Sequence, residues 1–92
     1  MTVLVDRAIW SFRGQLWAHL VSDQSYAELH DFAAGLGVPR RAFQGDHYDI
    51  PARLREDAVL AGATATDSAE LVRRLTAAGL RRRGRGASLH DR

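Results

Sequence analysis

Gly45-Asp46-His47-Tyr48-Asp49-Ile50-Pro51 packs two carboxylates, an imidazole and a phenol into seven residues and then turns into a helix start. Pro51 suits the first turn of a helix, where its missing N–H costs nothing, so the residues before it read as an extended segment feeding a helix. Leu54, Ala58 and Ala61 mark the inner face of that helix, and Gly62 ends it. A comparable unit lies on each side. Upstream, Gln15–Val21 reads as a strand with Leu16, Ala18 and Leu20 on one side and Trp17, His19 and Val21 on the other. Ser25 and Glu28 then form a capping box for a helix with the stripe Leu29, Phe32, Ala33 and Leu36, stopped by Gly37. Downstream, Ala63–Thr66 is a short strand. Asp67 and Glu70 cap a third helix with Leu71, Val72, Leu75 and Ala78 inward.

Further out, Thr2–Val5 reads as a short buried strand ended by Asp6, and Arg7–Phe12 as a loop over the core with a turn at Arg13-Gly14. Arg40–Gln44 fits a strand or an extended loop. The alternation predicts one α/β domain over residues 1–80: a small, mostly parallel sheet of three to four strands flanked by three helices. The first strand lies so close in sequence to the second that an antiparallel edge position is open to it. From Arg81 onward Arg, Gly and Ser dominate, and residues 81–92 are expected to form a disordered basic tail.

The chain has no cysteine, which excludes disulfides, thiolate metal sites and Cys nucleophiles and fits a cytoplasmic location. No apolar run approaches the roughly 20 residues that span a bilayer, and Met1–Asp6 lacks the basic start of a secretory signal. All thirteen basic residues are Arg, so Schiff-base and phosphate-loop lysine chemistry is absent. Residues 1–80 carry net −2 and residues 81–92 net +4, so the formal +2 belongs to the tail. Nucleic-acid contact is therefore expected to be weak, nonspecific and confined to that tail.

In a parallel α/β sheet ligands sit beyond the carboxyl ends of the strands. Ser22-Asp23, His47-Tyr48-Asp49 and Thr66-Asp67 stand at those ends. His47 and Asp49, two apart on a strand, share a face and can serve proton transfer. Asp46, adjacent to His47, would point the other way on a regular strand. Arg40 and Arg41 can hold a phosphate through bidentate contacts, with His19 and Asp23 as further ligand-binding residues. His19, His47, Asp23, Asp46 and Asp49 are donors of the type that suits Zn, Mn or Fe. Their spacing matches no established ligand signature, so no resident metal is expected, and the residues name no cofactor. His30 reads as a helix-flank histidine packed on a neighbouring strand.

Val5-Asp6, Ala18-His19-Leu20 with Asp23, Glu28-Leu29-His30, Pro39-Arg40-Arg41 with Phe43, and His47-Tyr48-Asp49-Ile50 recur together in that order in a small bacterial and tailed-phage family. Most of residues 1–80 resembles that family, a domain of unknown function (DUF4031-like). The resemblance implies a shared site and names no reaction. In phage-like members a second acidic residue often follows the first. Arg7 stands there in this chain, which weakens any metal site built on a carboxylate pair at positions 6 and 7.

The expected function is binding, extending to hydrolysis, of a small phosphorylated or nucleotide-like ligand in a polar crevice at the strand ends. His47 and Asp49 would be catalytic, and His19, Asp23, Arg40 and Arg41 would bind. The competing expectation is a non-catalytic adaptor or homo-oligomerising module whose His and Asp residues are structural and whose interface lies around Ile9, Trp10 and Phe12.

Overall fold

The computed structural model describes residues 2–82. Its elements are β1 (Val3–Val5), β2 (Trp10–Phe12), β3 (Gln15–Ser22), α1 (Tyr26–Gly35), a 3-10 turn at Arg40–Ala42, β4 (Tyr48–Pro51), α2 (Ala52–Leu60), β5 (Thr64–Ala65) and α3 (Ser68–Ala77). β3 is the spine of the sheet. One of its edges pairs with β2 near the start and with β1 near the end; the other edge pairs with β4. β5 lies outside β1.

The sheet is mixed and mostly antiparallel, where the alternation of elements predicted a mostly parallel one. β3 runs against β1, β2 and β4, and the β1–β5 pair alone is parallel. The cause lies between α1 and β4. A parallel crossover needs only the return helix, but here a further ten or so residues follow α1 through the 3-10 turn. Phe43 bridges antiparallel to Tyr48, so the chain reverses just ahead of β4 and enters it running against β3. β1 is antiparallel to β3, as its short connection allowed, but it is an inner strand between β3 and β5 rather than an edge.

Trp10–Phe12, expected as a loop, forms a strand because Arg13-Gly14 makes a two-residue hairpin. Phe12 pairs with Gln15, and both turn residues have positive φ, 55° and 78°. That backbone suits the right-handed twist of the flanking strands.

Helices cover both faces of the sheet. On one face Val3, Val5, Ala18, Leu20, Tyr48 and Ile50 pack against Leu29 and Ala33 of α1 and Ala58 of α2. On the other face Leu4 and Val21 pack against Leu71 and Leu75 of α3. The caps hold in part as expected. Ser25 Oγ accepts from the Glu28 amide at 3.1 Å, but the Glu28 carboxylate reaches the Ser22 hydroxyl instead of closing the capping box. Asp67 accepts from the Glu70 amide at 2.8 Å.

Arg81 and Arg82, assigned to the basic tail, are anchored. The Arg82 amide donates to Asp46 Oδ2 at 2.8 Å, and its guanidinium lies over the Tyr26 ring, 4.9 Å from the centroid. Residues 83–92 of the expected tail lie outside the described residues. Among the described residues no helix is long and apolar enough to cross a membrane.

Candidate functional site

Along β3, Trp17, His19 and Val21 face the same side as α3. α3 covers only the Val21 end of that side, and the site occupies the rest. His19 is directly opposite Asp49 of β4, so their side chains share the face. Asp49 is two residues beyond His47, which brings the second imidazole to the same place. One carboxylate oxygen, Asp49 Oδ1, lies 3.1 Å from His47 Nε2 and 4.0 Å from His19 Nε2. The two imidazoles meet edge to face, 5.4 Å between centroids.

Each histidine is held from behind by a fully buried aspartate. Asp6 Oδ2 lies 2.6 Å from His19 Nδ1, and Asp46 Oδ1 lies 2.7 Å from His47 Nδ1. Asp6 reaches His19 because the β1–β3 ladder is interrupted there. Val5 pairs with Leu20 and Trp10 with Trp17, so four residues on one side oppose two on the other. The slack turns the Asp6 side chain inward, where Oδ1 also accepts from the His19 amide at 2.7 Å. The Ser68 hydroxyl at the start of α3 donates to Asp6 Oδ2 at 2.7 Å, and Arg55 Nε donates to the Asp6 carbonyl at 2.7 Å.

Asp46 departs from the alternation expected of it. Phe43 bridges to Tyr48, and the Gln44 amide donates to the His47 carbonyl at 2.7 Å, so residues 44–47 form a turn ahead of β4. Gly45 takes φ 95° in that turn. Asp46 and His47 therefore lie on a bend and meet. The second oxygen of Asp46 receives the Arg82 amide and lies 3.6 Å from Arg81 Nη1.

The electrostatics follow from this enclosure. Burial alone would pull the His47 pKa down, but hydrogen bonds to Asp46 and Asp49 and the charges of both outweigh it, and the net shift is upward. For Asp6, burial raises the pKa. Hydrogen bonds from the His19 ring, from Ser68 and from the His19 amide win, and its pKa is lowered.

An aromatic cavity adjoins the cluster. Trp10 stacks on His19 at 5.3 Å and on Trp17 at 6.2 Å. Trp10, Phe12, Trp17, Ala42, Gln44 and Asp49 line a volume of about 240 Å³. Asp49 belongs to both the cavity and the cluster.

Of the residues expected to form the site, His47, Asp49 and His19 converge. Asp23 is elsewhere: it accepts from the Thr2 amide at 2.9 Å and pairs with Arg74 at 2.5 Å. β3 runs against β4, so the carboxyl end of β3, where Asp23 follows, lies away from that of β4. The anticipated row of polar strand ends does not form, and the cluster sits on the face of the sheet. Arg40 and Arg41 lie exposed on the 3-10 turn, outside the cluster. Asp6 and Ser68 join it from a distance in sequence. Asp6 was legible as a strand end and, in the family likeness, as the first position of an acidic pair that Arg7 breaks; Ser68 gave no signal of its own. His30 packs on β4 as expected, with Nδ1 2.7 Å from the buried Tyr48 hydroxyl and its ring against Phe43.

The protein is thus a small α/β domain with a mixed sheet, and it carries two buried, carboxylate-backed histidines beside an aromatic cavity. The chain belongs to the family described as protein of unknown function (DUF4031), whose model matches residues 3–78. No curated protein and no solved structure matches it.

Proposed function

We propose that this protein binds and hydrolyses a small phosphorylated, nucleotide-like ligand. The observation that carries the reading is the shared wall: Asp49 lines the aromatic cavity and also touches the histidine cluster. A planar ring lodged against Trp10 and Trp17 would hold its reacting group over His19, His47 and Asp49. Tryptophan faces suit such a ring, with stacking worth about 1–3 kcal/mol per base. A volume of about 240 Å³ accommodates one ring system better than an extended polymer. Gln44 supplies an amide for the edge of the ring. The cysteine-free chain is consistent with work in the cytoplasm.

The test uses the tryptophans themselves. The chain has two, and both line the cavity, so a stacked base should quench the intrinsic fluorescence saturably. Nucleoside monophosphates are titrated against the full chain and against Trp17→Ala, and phosphate release is followed in parallel for wild type and Asp49→Asn. No quenching by any of the common nucleotides would refute the reading.

The adaptor reading has its own support. Ile9, Phe12 and Leu16 around the β2–β3 hairpin are 68%, 52% and 46% exposed. Sedimentation of wild type beside Phe12→Ser decides it: a dimer lost in the variant favours an interface at the hairpin.

A further inference from the structure

We propose that His19 Nε2, His47 Nε2 and an Asp49 carboxylate oxygen form a binding site for one divalent transition-metal ion. The inference deepens the proposed function at the same site, but it stands on separate observations and is tested without a nucleotide.

The donor atoms come first. His19, His47 and Asp49 each offer a ligand atom, and all three lie within 4.8 Å of one another. Metal–nitrogen and metal–oxygen bonds of about 2.0–2.2 Å put neighbouring ligand atoms roughly 3.4 Å apart in a tetrahedral site. The 3.1 Å separation of Asp49 Oδ1 from His47 Nε2 is already there, and the 4.0 Å to His19 Nε2 needs a small closure. Asp49, its side chain 26% exposed beside two almost fully buried imidazoles, has the most room to move, and small rotations of the two rings complete the closure.

The second observation is the pair of supporting aspartates. A metal-bound histidine characteristically gives its other ring N–H to a carboxylate, which fixes the tautomer, aims the ring and raises ligand basicity. Here this arrangement occurs twice. Asp6 holds His19 Nδ1 and Asp46 holds His47 Nδ1, so each ring keeps its Nδ1 proton and presents Nε2, the nitrogen that faces Asp49, to an ion that would displace any proton there. The aspartates are themselves fixed, Asp6 by the His19 amide and Ser68, and Asp46 by the Arg82 amide. A pair of histidines needed only for packing requires neither two buried carboxylates nor a common focus for the two ε nitrogens. Spacing in sequence gave no metal signature because β3–β4 register, not a helix repeat, sets the separation of the ligands.

Two imidazoles and one carboxylate suit Zn, Mn, Fe or Co. Three protein ligands leave coordination positions open, and one of the three, Asp49, also lines the aromatic cavity. A cation there would polarise a phosphoryl oxygen and lower the pKa of a bound water. Asp6 and Asp46 are positioning residues, since neither faces the ion.

The experiment uses the full chain, untagged and stripped with a chelator. Zinc and manganese chloride are titrated separately by calorimetry, and the histidine ring nitrogens are followed by NMR during the zinc titration. One equivalent of at least one metal is expected, with Nε2 of both His19 and His47 shifting and His30 unmoved. Asp49→Asn should lose stoichiometric binding while the apo-protein melts as wild type does. Asp46→Asn should weaken binding about 10–100-fold and shrink the zinc-induced shift of His47 Nε2 while that of His19 Nε2 persists, a split that a general loss of structure would not give. Absence of stoichiometric binding in the wild type, shifts confined to His30 or His90, or unchanged affinity in Asp49→Asn would each overturn the site. Metal binding without nucleotide quenching would leave the ion in place and sink the nucleotide reading; quenching without metal would do the reverse.

Discussion

Asp46 and His47 are adjacent in the chain, yet their side chains meet, with Asp46 Oδ1 2.7 Å from His47 Nδ1. Neighbours on a regular strand point to opposite faces. The turn at Gln44–His47 makes the contact, and it depends on Gly45 at φ 95°. Gly45→Ala should therefore destabilise the fold by about 1–2 kcal/mol, the cost of a Cβ in the left-handed region. It should also release His47 from Asp46. Urea denaturation gives the first quantity and the NMR signal of His47 Nδ1 the second.

Stability and chemistry should separate by position. Leu29 is fully buried between α1 and the sheet. Leu29→Ala should cost about 2–5 kcal/mol through lost burial and the cavity left behind. Phe32, which only flanks that core, should cost less when cut to Ala. Asp49→Asn should stay within about 1 kcal/mol of wild type, because a partly exposed carboxylate kept for chemistry contributes little to folding. A loss in Asp49→Asn equal to that in Leu29→Ala would mark Asp49 as scaffold.

Asp6 stands on the other side of that division. Its carboxylate holds the His19 ring, the His19 amide and Ser68 in a fully buried setting. Asp6→Ala leaves these groups without their acceptor and should cost about 3–5 kcal/mol, the range for breaking a buried pair. Thermal unfolding of the metal-free protein checks this.

His30 gives a pH prediction. Burial lowers its pKa, the nearby Arg40 charge lowers it further, and Asp31 opposes both in part. The folded protein then holds its proton less tightly than the unfolded chain. The resulting stability is present above the ordinary imidazole range and is lost as pH falls through it. Proton NMR should find His30 titrating below a free imidazole. His30→Gln should flatten the fall in stability on acidification; an unchanged slope would refute the assignment.

The chain just after α3 provides a last comparison. Truncation after Leu80 removes the Arg82 amide from Asp46 and the guanidinium from Tyr26. Truncation after Arg82 keeps both. The shorter protein should be less stable by about 1–3 kcal/mol, the cost of leaving a buried acceptor unsatisfied. Equal melting temperatures would mean that the Asp46–Arg82 contact carries no weight.

Most elements were legible in the sequence because their signals are local. The alternation of Leu16 to Val21, the Ser25 and Asp67 caps and the stripe on α1 reappear, and on α3 Leu71, Val72 and Leu75 face inward while Ala78 lies exposed past the helix end. Strand direction was not legible. It depends on how far the chain travels between α1 and β4, and no side-chain pattern in residues 37–47 encodes that path. The site divided in the same way. His47 and Asp49 share a face by the period of a strand, a local property. The meeting of His19 with Asp49 depends on antiparallel register, and Asp6 and Ser68 meet across most of the chain. Asp23 was misplaced because its position was inferred from a parallel sheet.

The inner position of β1 bears on how the molecule is made. β1 pairs with β3, which follows after β2, but its other edge is filled only by β5, with Leu4 against Thr64. During synthesis β1 and β3 can join early, while one edge of β1 stays open until the last third of the chain has emerged. Pairings this far apart in sequence close late and slowly. An unfilled inner edge is also a template for a second chain. A ribosome stalled before Thr64 would hold a sheet in which β1, the apolar strand Val3-Leu4-Val5, has one edge unprotected, a species whose fate depends on chaperone access rather than on the stability of the finished domain.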